Sequence, residues 1–331
     1  MLVVTLLALL GFAAVPTLAA ETPAPFVRES TIALKSVAGR IDHLAVDLER
    51  TRLFVAELGN GTVDVIDLVA AKVVRRIEGL NEPQGLAYSP AADALAVASA
   101  GDGTVRLFHG TELSPTHIIS LDDDADNIRL DARTGNFVVG YGSGGLAMID
   151  PAKGMLIQRI PLAAHPESFQ IDPDKRRAFV NLPDAHQIAV VDLEAGRQIS
   201  SLEVGDLNAN FPMALDATRN AAAVVFRRPP RLVDYNVGTN RPTGTFATCG
   251  DADDVFFDPR RGRLYVICGE GSVDIFQREG TGYRRLTRFE TASGARTGLF
   301  VPDLDRLFVA VRAGFFGLGS DAAILVLRPT D

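Results

Sequence analysis

Seven times along this chain a unit of about 42 residues returns, and few folds accommodate a repeat of that length. Each copy has a short apolar run ending in an acidic or small residue, a polar turn, a second run, a Gly-rich turn and a third run. The clearest is IDHLAVDLERTRLFVAELGNGTVDVIDL, from Ile41 to Leu68. With Asp47 as the anchor, the equivalent positions are Ser89, Asp131, Asp172, Asp216, Asp258 and Val301, at steps of 42, 42, 41, 44, 42 and 43. Runs of Val, Ile, Leu and Phe bounded by Gly, Asn, Asp and Pro, without a long 3.6-residue period, read as strands and turns. Four such strands per unit predict an all-β protein, a seven-bladed β-propeller.

The last blade poses a problem of closure. Its third strand, AILVLRP at Ala323–Pro329, is followed only by Thr330 and Asp331, so it has no fourth strand of its own. The orphan run VRESTIAL at Val27–Leu34 resembles the fourth strands RRLTRFET and RQISSLEV. A circular array of sheets keeps a free edge unless the other end of the chain completes the last blade, so the N-terminal run is expected to close the ring.

Residues 1–20, MLVVTLLALLGFAAVPTLAA, carry no charged side chain and pass from an apolar stretch, Leu2–Val15, into small residues at Ala19 and Ala20. This pattern predicts a secretory signal peptide, although no Lys or Arg precedes the apolar core. The stretch falls short of the roughly 20 residues needed to span a bilayer. The expectation is a periplasmic or secreted protein with residues 21–331 as one propeller domain, a monomer with no stable membrane insertion after cleavage.

Composition removes further classes. With 33 Lys+Arg against 41 Asp+Glu the net charge is −8, which provides no footprint for a phosphate backbone and argues against nucleic acid as a partner. There is no Trp, no C-x-x-C-H and only two Cys, which excludes covalent c-type haem and Cys-rich zinc modules.

The blade pattern, with LFVAELGNGTVDVIDL at Leu53–Leu68 and LYVICGEGSVDIFQ at Leu264–Gln277, resembles the YVTN-type repeat of YncE-like seven-bladed propellers. The resemblance covers the whole chain after residue 20, and many such proteins are exported. The literal Tyr-Val-Thr-Asn tetrad is replaced by Phe54-Val55-Ala56-Glu57 and Tyr265-Val266-Ile267-Cys268. It implies the fold and a binding role, with no shared catalytic motif.

In a propeller the first strand of each blade lines the channel, and the segments leading into it build one rim. Five residues before the anchor stand Asp42, Gln84, Asp126, Glu167, Phe211, Asp253 and Arg296; four before it stand His43, Gly85, Asn127, Ser168, Pro212, Asp254 and Thr297. Converging carboxylates raise one another's pKa unless a cation, an Arg or solvent compensates. Asp126, Asp253 and Asp254 are therefore candidate ligands of a hard ion such as Ca²⁺, with Asp42, His43, Gln84, Asn127, Glu167 and Arg296 as candidate ligand-binding residues. The competing reading has Asp and Asn holding turns through backbone N–H groups. His43 is the one histidine expected at the rim, as a base or as a hydrogen-bonded turn residue.

Cys249 and Cys268 fall in one blade, within reach of a disulfide, which an oxidising compartment favours. The loop Ala313–Ala322 carries Phe315, Phe316 and Leu318, expected to pack or to face a partner. The turn Arg227-Arg228-Pro229-Pro230 reads as a solvated blade connection. Two functions remain: a non-catalytic exported protein binding a small molecule or an envelope protein at the rim, and a Ca²⁺-dependent lactonase-like hydrolase using the rim carboxylates.

Overall fold

A computed structural model describes residues 24–314 and 321–331. The predicted signal segment and Phe315, Phe316 and Leu318 lie outside the described residues. The rest forms seven four-stranded antiparallel sheets arranged as the blades of a propeller.

Burial follows position within a blade. Second and third strands pack between neighbouring blades and are apolar on both faces, as in Arg52–Glu57 and Ala94–Ser99, where every residue after Arg52 is buried. Fourth strands form the perimeter and alternate, as in Met155–Pro161 and Arg197–Glu203. Buried strands need continuous apolar runs, whereas half-exposed ones need period two. The core is a ring of inter-blade clusters; Phe54 of the first blade, for example, packs with Tyr88, Leu95 and Val97 of the second.

Four of the turns between third and fourth strands share one device. Asp67, Asp150, Asp192 and Asn236 end their strands, and in each the side-chain oxygen accepts from the backbone N–H groups two and three residues on, at 2.8 to 3.1 Å. A short side-chain acceptor that mimics a backbone carbonyl makes these turns local, which is why the repeat carries Asp or Asn there.

Phe26–Leu34 lies at the outer edge of the last blade, antiparallel to Ala322–Pro329, with Phe26 opposite Pro329 and Leu34 opposite Ala322. A register shift between Arg28 and Ser30 interrupts the ladder. Phe26 is buried, its ring 5.0 Å from that of Tyr265 in the sixth blade, so the closing strand is also anchored sideways.

The anchor aspartates end the first strands at the pole opposite the mouth. Asp258 accepts from the N–H groups of Arg260 and Arg261 at 3.0 and 3.2 Å, from the Arg261 guanidinium at 3.1 Å and from the Tyr265 hydroxyl at 2.6 Å. Arg261 continues to Asp305 of the next blade at 2.6 Å, Arg50 reaches Asp93 at 2.8 Å, and Arg176 pairs with Asp131. These arginines staple neighbouring blades together. Among the described residues no helix is long and apolar enough to cross a membrane.

Candidate functional site at the channel mouth

The seven residues five places before the anchors all line one cavity of about 290 Å³ where the channel opens: Asp42, Gln84, Asp126, Glu167, Phe211, Asp253 and Arg296. Equal spacing from a common strand end puts one residue per blade at the same height around the axis. His43 and Asn127 line it too, whereas Asp254 stands behind His43, where Oδ2 accepts from the N–H of Gly298 at 2.9 Å.

Arg40, Asp124, His165 and Arg227 complete the wall. His43 is therefore not the one rim histidine, and the Arg227 turn is not simply a solvated connection. His165 stands two residues before Glu167, as Asp124 does before Asp126 and Arg40 before Asp42. A third row, seven before the anchor, would have shown it. No spacing marks Arg227. It is the penultimate residue of the long second strand Ala221–Arg228, and its guanidinium carbon lies 3.7 Å from the centre of the Phe211 ring while Nε donates to the Ala252 carbonyl at 2.7 Å.

Charges at the mouth are paired in a definite pattern. Arg40 donates to Asp42 at 2.6 Å. His43 stands between Asp42, 3.6 Å from Nε2, and Asp254, 3.8 Å from Nδ1. Burial opposes its charge, but these carboxylates and Asp126 push its pKa up to about 10. Asp253 is held by Arg227 on one side and by Nε of Arg296 at 2.8 Å on the other. His165 donates from Nδ1 to the Gly142 carbonyl at 2.6 Å, with Nε2 3.8 Å from Asp126. Burial works against its charge as well, and Asp126 and the carbonyl raise its pKa to about 9.

Two carboxyls sit well above their ordinary range. Burial, then Asp126, raises Glu167 to about 8, although His165 and Arg227 pull it down. Burial raises Asp42 to about 6 against the opposing effect of His43. Among the described residues no three His, Cys, Asp or Glu side chains form a metal-holding group. Of the three candidate metal ligands, Asp253 is engaged by two arginines and Asp254 by a backbone N–H and His43, which leaves Asp126 with an unpartnered oxygen.

Cys249 and Cys268 are joined in a disulfide with Cα atoms 5.9 Å apart. It closes the loop that leads to Asp251 and Asp253. The N–H of Cys249 donates to Asp274 at 2.9 Å, fixing the loop from behind.

Fold and site together define a seven-bladed β-propeller with a charge-dense channel mouth. The sequence matches no family model and no curated protein. Among solved structures the chain is similar to Kuenenia stuttgartiensis hydrazine synthase, with a TM-score of 0.76 over 90% of this chain and 97% of that chain. At 14% identity the likeness is one of fold alone.

Proposed function

We propose that this chain is an exported, non-catalytic binding propeller that takes a small polar molecule into its channel mouth. The observation that carries this reading is the pocket itself: an open cavity on the ring axis, lined almost wholly by charged and amide side chains, several of them fixed by ion pairs with one another. Preorganised polar groups converging on one concave site are what recognition of a small ligand needs. The predicted signal segment, the disulfide and the resemblance to YVTN-type repeats support export.

The hydrolase reading has less support. It needs an ion on the rim carboxylates, and Asp253 and Asp254 already have protein partners. Melting in EDTA and then in added Ca²⁺ tests it, since a bound structural ion raises the melting temperature on addition.

The binding reading is tested by incubating the protein with a small-molecule extract of the cell envelope and identifying retained compounds by mass spectrometry. Gln84→Trp, which fills the mouth, serves as the comparison. A compound retained by the wild type and lost in the variant supports the reading. Equal retention by both, or retention of a protein alone, overturns it.

A further inference from the structure

A second hollow, of about 440 Å³, opens beside the mouth over the fourth and fifth blades. His165, Glu167 and Phe211 form the wall between the two. The hollow lies where the repeat is broken. The turn from second to third strand is Leu58-Gly59-Asn60-Gly61 in the first blade, Ala100-Gly101-Asp102-Gly103 in the second, Gly142-Ser143-Gly144 in the third and Gly269-Glu270-Gly271 in the sixth. In the fourth and fifth blades it has no glycine, and reads Pro183-Asp184-Ala185-His186 and Arg227-Arg228-Pro229-Pro230. His186 adopts φ 50° and ψ 44°, the left-handed backbone that Gly61 supplies at the equivalent place in the first blade. That conformation disfavours any residue with a Cβ, so His186 opposes a local preference that the other turns obey, and such breaks are expected at functional positions. His186, Asp184 and Arg228 all line the hollow.

Its charges are arranged unlike those of the mouth. Each arginine of the mouth has an acidic partner, Asp42 for Arg40 and Asp253 for Arg227 and Arg296. Arg228 and Asp184 are both exposed, and among the described residues neither is in an ion pair, with the other or with a third group. On the shared wall, His165 is turned to Asp124 and Asp126, at 3.9 and 3.8 Å. Burial, then Asp126, raises Glu167 to about 8, so it is mostly protonated at neutral pH. A cation from one blade and an anion from the next therefore line one concave space without meeting.

A ligand that carries both charges satisfies the two together, whereas a singly charged one leaves the other group unmatched. The arginine fork takes a carboxylate through two parallel hydrogen bonds, and an ammonium group brings three donors to a carboxylate. Pro183, Ala209 and Phe211 supply apolar lining, and the Phe211 ring is steadied by Arg227, whose guanidinium carbon lies 3.7 Å from its centre. Apolar walls with a few placed polar groups suit a hydrocarbon body bearing a charged head.

We propose that this hollow binds an α-amino acid with an apolar side chain, its carboxylate on Arg228, its ammonium group on Asp184 and its side chain against Pro183, Ala209 and Phe211. The site is separate from the mouth and does not depend on the mouth's being a binding site.

Isothermal titration calorimetry of the chain after residue 20 tests this with L-phenylalanine, and with 3-phenylpropanoate and 2-phenylethylamine, which lack the ammonium group and the carboxylate respectively. Phenylalanine is expected to bind at least tenfold more tightly than either counterpart, and at least tenfold more weakly to Arg228→Gln and to Asp184→Asn. Both side chains are exposed, so both variants are expected to melt as the wild type does. Binding of 3-phenylpropanoate is expected to fall in Arg228→Gln and not in Asp184→Asn. A counterpart that binds as well as phenylalanine, or phenylalanine binding untouched by both substitutions, overturns the proposal. Phenylalanine binding that is lost when Gln84→Trp fills the mouth also overturns it, and moves the ligand into the mouth. No binding of any of the three overturns the hollow alone, because the mouth is tested by the retained envelope compounds.

Discussion

The two poles of the ring treat aspartate in opposite ways. At the pole away from the mouth, Asp47, Asp131, Asp93 and Asp305 have pKa values held below the ordinary carboxylate range; burial opposes this in all four, most strongly in the first two, and arginines, hydroxyls and backbone N–H groups outweigh it. At the mouth, burial acts with too few donors, and Asp42, Asp124 and Glu167 are raised instead. The same residue type at two ends of one strand keeps its charge where arginines, hydroxyls and backbone N–H groups surround it, and has that charge disfavoured where burial meets fewer donors.

That contrast can be broken most directly at Asp258. Asp258→Ala strips the acceptor from two backbone N–H groups, Arg261 and Tyr265, and is expected to lower unfolding free energy in urea by roughly 4 kcal/mol, whereas Asp126→Asn at the mouth changes it by less than about 1 kcal/mol. Equal costs for the two would end the comparison. Next in size is the disulfide behind the mouth. The double variant Cys249→Ala, Cys268→Ala is expected to lose about 3 kcal/mol in the chain-entropy account of a loop of this length. If calorimetry shows an unchanged melting temperature, the mouth does not depend on that brace.

A pH series sharpens the contrast through opposite signs. Glu167 and Asp42 have folded pKa values above their unfolded ones, so the stability they contribute is fullest at low pH and declines as pH rises, from 4.5 to about 8 for Glu167 and from 3.8 to about 6 for Asp42. The opposite pole behaves the other way: its lowered aspartates stabilise above the unfolded value of 3.8, and that contribution is lost as pH falls through their depressed values. His43 and His165 contribute stability present below 6.5 and lost as pH rises through about 10 and about 9. Glu167→Gln is expected to be about 1–2 kcal/mol more stable than wild type at pH 8 and equal to it at pH 4. A constant difference across that range would show that Glu167 does not titrate with folding.

The smallest effect belongs to Arg40, whose side chain is 42% exposed. Arg40→Ala is expected to cost no more than about 1 kcal/mol, and to move the Asp42 titration upward in a carboxyl NMR experiment by removing one of the charges that lowers it. An unmoved Asp42 would mean solvent already screens that pair.

The blade count, the anchors and the closing strand were legible because each depends on local pattern: alternation for perimeter strands, apolar runs for interior ones, Asp or Asn where a turn needs a side-chain acceptor. The ring of residues five before the anchor was legible for the same reason, since one blade repeats the backbone path of the next. His165 was within reach of that argument, two places before Glu167. Arg227 was not, because it comes to the mouth from the end of a second strand, across a blade boundary, with the Phe211 ring as its support.

By itself, then, the sequence determined the seven-bladed ring, its N-terminal closure, the Cys249–Cys268 pairing and the ring of side chains five places before the anchors, since periodicity and turn chemistry fix all of these. Only the tertiary structure decided how the charges at the mouth are shared. Asp253 between Arg227 and Arg296, His43 between Asp42 and Asp254, and the unpartnered oxygens of Asp124, Asp126 and Asn127 depend on how neighbouring blades approach one another in space. Coulomb energy and hydrogen bonding depend on separations of a few ångströms, and linear spacing does not encode those.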